Sequence, residues 1–147
     1  MSVGKIRKSR IILLLAAIVI IVVGIFFIKK LVLGNPLQGK WVTAKGEYYL
    51  DIEDENEAEI HVLVNEEMVE VDVRYEMNKK DRTIRFLLPA ASMYEEAVDE
   101  LEGKVSVAEL SEKMEVMVTS FEYSMDQDTL TLTEREYGEQ MIFTRVK

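Results

Sequence analysis

The chain has 147 residues, enough for one compact domain and a short accessory segment. It contains 27 acidic and 18 basic residues, which give a formal net charge of −9, and it contains no cysteine. The lack of cysteine excludes a disulfide scaffold, thiol catalysis, a zinc site with cysteine ligands and a lipid-modified N-terminal cysteine.

The charge divides the chain into two unlike parts. Residues 1–35 contain six basic and no acidic residues, whereas residues 36–147 contain 12 basic and 27 acidic residues, a formal charge of −15. Such an acidic surface repels nucleic acid and anionic lipid headgroups, because phosphate binding requires clustered cations. The composition of the second part is typical of a soluble domain and is also compatible with a cationic protein partner.

The first predicted element is a transmembrane helix. Residues Ile11–Ile28 are uncharged, and 18 helical residues span about 27 Å, close to the thickness of the bilayer core. Leu31–Leu33 extend this stretch, so we predict an anchor at residues 11–33. A cleavable signal peptide is the alternative. The uncleaved anchor is favoured because the apolar core is long and is followed by Lys29 and Lys30 rather than by a cleavage site with small residues.

The basic residues also predict the orientation. Four of them lie in residues 1–10, which we expect to form a cytoplasmic tail under the positive-inside rule. Residues 34–39 are then a short stem, and residues 40–147 form an extracytoplasmic domain at the membrane surface of a bacterial cell.

Alternating apolar and polar residues predict antiparallel strands in the outer domain. The clearest example is Val69–Tyr75, in which apolar residues alternate with Glu70, Asp72 and Arg74. Similar patterns occur at residues 48–52, 60–64, 84–88, 121–123, 129–133 and 141–145. Six or seven strands joined by short turns predict a mainly β fold. The meander would form either a small closed barrel, with eight strands as one alternative, or an open and strongly curved sheet.

Two short amphipathic helices interrupt this pattern at residues 92–118. Ser92–Glu95 and Ser106–Glu109 both have the spacing of a helix-capping box. We expect the apolar faces of these helices to pack on the sheet. A second hypothesis gives Met114 and Met117 a role as a partner-binding face.

The two ends of the domain carry a recognisable pattern. The segments Gly39–Lys40–Trp41 and Thr144–Arg145–Val146 resemble the calycin pattern of lipocalin-like barrels, as found in small domains of bacterial surface proteins. This resemblance implies that Arg145 packs on Trp41 and closes the barrel, a structural role for both residues. The helical insertion departs from the usual lipocalin arrangement, so the resemblance does not imply a ligand cup.

The sequence contains few of the residue types that catalysis or metal binding requires. His61 is the only histidine, and alternation places it on the outer, solvated face of its strand. An acidic run invites a calcium-loop interpretation but lacks the central glycine of an EF-hand, so a solvated turn is favoured. The run contains Asp51, Glu53, Asp54, Glu55 and Glu57. We expect no metal, no cofactor and no enzymatic activity.

Three functional hypotheses are compatible with the sequence. The leading hypothesis is a non-catalytic, membrane-anchored interaction module, such as an immunity or accessory protein, that binds a basic envelope or secreted protein. The alternative is a carrier of a small hydrophobic ligand, in a cavity lined by Tyr48, Tyr75, Phe86 and Leu132. An enzymatic hypothesis rests only on the number of carboxylates, since no spacing singles out a pair.

Overall fold

A computed structural model describes the backbone of residues 3–33, 35–54 and 56–147, and the side chains of residues 9–25, 35–54 and 56–147. The ends of two predicted segments therefore lie outside the described residues: Met1 and Ser2 of the basic tail, and Gly34 of the stem. Glu55 of the acidic run does so as well. The chain divides into two compact units, Met1–Pro36 and Leu37–Lys147.

The first unit contains one helix, α1 (Val3–Leu33). From Ile11 to Ile25 its large apolar side chains are 47% exposed or more. Within the part of the chain that the structure describes, no helix meets both the length and the apolarity required to cross a membrane. The transmembrane anchor at residues 11–33 stays a prediction.

The second unit is an eight-stranded antiparallel barrel, in which each strand pairs with the next along the chain and the last pairs with the first. Closure confirms the prediction of a closed barrel, and the open curved sheet is wrong. The architecture is mainly β and consistent with a lipocalin-like fold. The strands are β1 (Gly39–Thr43), β2 (Tyr48–Ile52), β3 (Glu57–Val64), β4 (Glu67–Asn78), β5 (Thr83–Phe86), β6 (Ser120–Asp126), β7 (Thr129–Glu134) and β8 (Gln140–Arg145).

The alternating sequence pattern sets which side chains point inward. In β4, Val69, Val71, Val73 and Tyr75 are buried, and the residues between them are exposed. A one-residue shift of register would move all of these apolar side chains to the surface, so the pattern fixes the pairing. The turn between β3 and β4 consists of Asn65 and Glu66, both with positive φ, as a type I′ hairpin turn requires.

Two helices, α2 (Ala91–Asp99) and α3 (Val107–Glu115), are inserted between β5 and β6, as predicted. The capping box of α3 is confirmed, because Ser106 accepts a hydrogen bond from the Glu109 backbone and the Glu109 carboxylate accepts one from the Ser106 backbone. The capping box predicted at Ser92 is wrong. The N-cap of α2 is Ala90, two residues before Ser92, and the Ala90 carbonyl accepts a hydrogen bond from the Met93 backbone N–H.

Both helices contribute to the barrel core. Tyr94 of α2 and Leu110 of α3 are buried with the inward side chains of the strands. The helices contact each other, α2 also contacts β4 and α3 contacts β3. The hydroxyl of Tyr48 at the start of β2 donates a hydrogen bond to the Lys113 carbonyl at 3.1 Å, which joins α3 to that end of the barrel.

Candidate functional site

Trp41 and Arg145 make the contact that the sequence led us to expect. They are register partners in β1 and β8, and the guanidinium carbon of Arg145 lies 4.2 Å from the centroid of the indole ring. The Trp41 indole N–H donates to the Leu37 carbonyl at 2.9 Å, and Arg145 Nη1 donates to the Gln38 carbonyl at 3.0 Å. These bonds join the backbone before β1 to the β1–β8 strand pair.

Gly39 makes this contact sterically feasible. Its φ is +128°, which disfavours any residue with a side chain, and an added Cβ would lie 2.6 Å from Arg145 Nη1. The glycine of the Gly-x-Trp segment therefore provides the space in which the arginine packs.

The four predicted cavity residues belong to the filled interior of the barrel or its edge. Tyr75, Phe86 and Leu132 are 3% exposed or less, and Tyr48 is half-buried. The ring of Phe86 contacts those of Tyr75 and Phe121, with 6.3 Å between ring centroids in each case. Four surface grooves are described, and none of these four is lined by the predicted cavity residues.

The predicted partner face of α3 requires a correction. Met114 and Met117 are both 0% exposed and lie in the core cluster. Their helical spacing reflects packing of α3 and the following turn against the barrel, so a partner at the surface cannot reach them.

The outer surface of β2, β3 and β4 carries a cluster of acidic side chains. We call it the acidic face, and it comprises the carboxylates of Asp51, Glu53, Glu57, Glu59, Glu70 and Asp72. In the register of the sheet, Asp51 pairs with Glu59, and Glu59 pairs with Asp72. Three carboxylates thus lie side by side across three strands, although like charges directly opposite one another destabilise a sheet.

A groove lies along this face. It has a volume of about 550 Å³ and combines acidic residues of β3 and β4 with the apolar segment that leads into α2. Leu88, at its edge, is 74% exposed. The lining comprises Glu53, Glu57, Ala58, Glu59, Asp72, Val73, Arg74, Leu87, Leu88, Pro89, Ala90 and Met93.

The pKa of Glu53 is affected by the other carboxylates of the acidic face. Its pKa is raised, first by partial desolvation and then by the negative charges of four neighbours. These neighbours are Glu59, Asp51, Glu57 and Asp72. The face therefore holds negative charge that a bound cation would stabilise.

Two sets of side chains on this face bring metal-binding atoms within 4.8 Å of one another. One set is Asp51, Glu53 and Glu59, and the other is Glu59, His61 and Glu70. The first contains only carboxylates, an ordinary occurrence on an acidic protein surface. The second adds an imidazole nitrogen, which changes the metals that the set can bind.

Sequence reasoning singled out Asp51, Glu53 and Glu57 as part of an acidic run, but it did not bring Glu59, Glu70 and Asp72 onto the same face. Each strand by itself shows only an alternating polar side, the ordinary pattern of a solvated sheet. The register between strands determines which acids lie next to each other. For β3 and β4, this register follows from the two-residue turn Asn65–Glu66, which sets the cross-strand pairs of the hairpin.

Comparisons of the chain with protein-family models, with curated proteins and with solved structures find no match.

Proposed function

We propose that this chain is a non-catalytic, membrane-anchored interaction module, and that its acidic face binds a cationic segment of another envelope or secreted protein. The observation that carries the proposal is the row of carboxylates formed by Asp51, Glu59 and Asp72 across three paired strands. Lysine or arginine side chains of a partner would offset the mutual repulsion of these three groups.

The groove favours an extended segment with both basic and apolar residues. Its lining includes the acidic residues Glu57 and Asp72 of β3 and β4, which would form one wall, and the exposed Leu88 and half-buried Met93 of the segment leading into α2, which would form the other. An alternating segment would place basic side chains on the first wall and apolar side chains on the second, because successive side chains of an extended chain point to opposite sides. Arg74 adds one positive charge to the groove and would disfavour a purely basic segment.

The binding test uses a fluorescent ten-residue peptide of alternating lysine and leucine, measured by fluorescence polarisation with the full chain. We expect saturable binding that weakens steeply between about 50 and 300 mM salt, since screening acts on exposed charges. Replacing Glu57, Glu59 and Asp72 by their amides should reduce the affinity by at least about tenfold.

The matched control replaces three exposed acids elsewhere on the barrel, Glu76, Glu122 and Glu136, by glutamine. This variant has the same net charge as the first but retains the acidic face. Equal losses in the two variants would show that the peptide responds to overall charge alone, and the proposed site would be rejected. A peptide of alternating glutamate and leucine should not bind.

We further propose that α1 holds the barrel outside the cytoplasmic membrane of a bacterium, and that the barrel is lipocalin-like in family as well as in shape. The support is the uncharged stretch from Ile11 to Ile28, the exposed apolar side chains between Ile11 and Ile25, and the Gly-x-Trp and arginine pattern at Trp41 and Arg145. Apolar side chains exposed along a helix require an apolar medium or a partner.

Because the chain contains no cysteine, single cysteines can report its orientation. Ser9→Cys and Ser124→Cys variants are expressed in bacteria, and intact cells are treated with a membrane-impermeant maleimide. We expect labelling of the Ser124→Cys variant only, with the Ser9→Cys variant reacting after lysis. Labelling of Ser9→Cys in intact cells, or a protein in the soluble fraction, would contradict the proposed anchor.

A further inference from the structure

We propose that Glu59, His61 and Glu70 form a binding site for a divalent transition-metal ion of the zinc class on the outside of the barrel. This site goes beyond the proposed interaction function. It uses the only histidine of the chain, together with two carboxylates from adjacent strands.

Strand pairing places the three side chains together. Glu59 and His61 are two residues apart in β3 and therefore point to the same face of the sheet. Glu70 of β4 is the register partner of His61 across the β3–β4 hairpin. All three ligands thus come from two paired strands of a closed barrel, which hold a site more precisely than loops do.

The distances suit a small metal ion. His61 Nε2 and Glu59 Oε2 are 3.4 Å apart. Two ligands of a tetrahedral zinc ion, each bound at about 2.1 Å, are themselves about 3.4 Å apart. The Glu70 carboxylate completes a set in which every pair of ligand atoms lies within 4.8 Å, so small rotamer changes bring all three into contact with one ion.

The types of ligand atom determine which metal ions the site can bind. An imidazole nitrogen is a good ligand for zinc, copper, nickel and iron but a poor one for calcium or magnesium, which prefer oxygen. Three protein ligands leave one position of a tetrahedral ion for water or for a further ligand. A second groove, of about 440 Å³, borders Glu59 and His61 and also includes Tyr49 and Met68, which gives such a ligand room to approach.

The acidic neighbours of this position favour a cation, although Lys40, the register partner of Asp51, also borders the second groove. Glu59 is also the middle member of the carboxylate row with Asp51 and Asp72. A divalent ion bound at Glu59 would reduce the repulsion between these three groups.

The test titrates ZnCl₂ into the chelator-treated full chain, carrying no histidine tag, by isothermal titration calorimetry. We expect one ion per chain, and we expect CoCl₂ to give the visible absorption bands of four-coordinate cobalt. The His61→Gln and Glu70→Gln variants should bind zinc at least about tenfold more weakly, since even second-shell changes have that effect. Calcium should not compete at millimolar concentration.

The matched control is Glu76→Gln, which removes one exposed carboxylate from the outer face of the same strand, β4. It should leave the zinc affinity within about twofold, and far-UV circular dichroism verifies that all variants fold. Zinc binding of equal strength in His61→Gln and the parent chain, or no one-to-one binding, would overturn the proposal. His61→Gln leaves the charge of the peptide groove unchanged, so the peptide measurement and the zinc measurement can fail independently.

Discussion

At the scale of single residues, Gly39, Trp41 and Arg145 form one contact where β1 pairs with β8. Gly39 leaves space, Trp41 presents its ring, and Arg145 covers that ring while it donates a hydrogen bond to the backbone before β1. An arginine on an indole face contributes about 0.5–2 kcal/mol. The sequence alone allowed this pair to be predicted, because its resemblance to the lipocalin-like pattern named both partners.

The first prediction concerns this contact. Arg145→Met should lower the free energy of unfolding by about 1–3 kcal/mol, because it removes the cation–π contact and the hydrogen bond to Gln38 while retaining much of the packing volume. Urea unfolding measures the effect, followed by far-UV circular dichroism and by fluorescence of Trp41, the only tryptophan.

Arg85→Met is the matched control for this prediction. Arg85 is exposed on the outer face of β5, so its replacement should change stability by no more than about 0.5 kcal/mol. Similar losses in both variants would mean that the Trp41 contact has no special role.

Other residue-scale features could not be read from the sequence. The apposition of Asp51, Glu59 and Asp72 depends on the registers of two strand pairs, and alternation specifies only the face of each residue. His61 was correctly placed on the outer face of β3, but its proximity to Glu70 required the register of the β3–β4 hairpin.

At the scale of elements, α2 and α3 differ in how their first turns are stabilised. In α3 the Ser106 capping box is joined by Asn65 of the β3–β4 turn, whose side-chain N–H donates to the Glu109 carboxylate at 3.0 Å. The pKa of Glu109 is lowered chiefly by the hydrogen bond from the Ser106 backbone. The stabilisation from these bonds is therefore present above the usual glutamate pKa and is lost as the pH falls.

The second prediction uses this difference between the helices. Ser106→Ala should destabilise the barrel by about 1 kcal/mol, since it removes the N-cap of α3. Ser92→Ala, inside the first turn of α2, should have little effect or stabilise slightly, because Ser92 caps nothing and alanine favours a helix. Chemical denaturation measures the free energy of unfolding of both variants. Equal destabilisation of the two would contradict the assignment of the caps.

The same two helices show which features of the secondary structure could be predicted from the sequence and which could not. Period-two alternation located β2 to β8, whereas β1 was recognised only through its Gly-x-Trp segment. The change of period located the insertion at residues 92–118. The start of α2 was misplaced, because Ser92 and Glu95 have capping-box spacing, whereas the backbone begins its first turn at Ala91. Spacing identifies side chains able to cap but does not determine which backbone N–H groups are left unpaired.

At the scale of the whole barrel, three tyrosines link folding to pH. Burial raises the pKa values of Tyr48, Tyr94 and Tyr123 above the usual value of about 10. The folded barrel therefore favours the neutral phenols. Their contribution to stability is present below pH 10 and is lost as the pH rises through their folded-state pKa values.

The third prediction follows from this linkage. Above pH 10 the barrel should unfold cooperatively, and ionisation of these tyrosines, measured by phenolate absorbance at 295 nm, should coincide with the loss of far-UV circular dichroism. A Tyr94→Phe variant should unfold at a higher pH, because one of the linked groups no longer ionises. Full phenolate absorbance while the barrel remains folded would contradict the predicted linkage.

The pairing of β1 with β8 also determines when the barrel can form. The hydrogen bond from Arg145 to the Gln38 carbonyl joins residues 107 apart along the chain. A chain that is synthesised from its N-terminus exposes β1 long before β8 emerges. Until then one edge of β1 and one edge of β7 have no partner strand, and both can pair with other chains. Barrel closure is thus a late, non-local step that we expect to limit the folding rate.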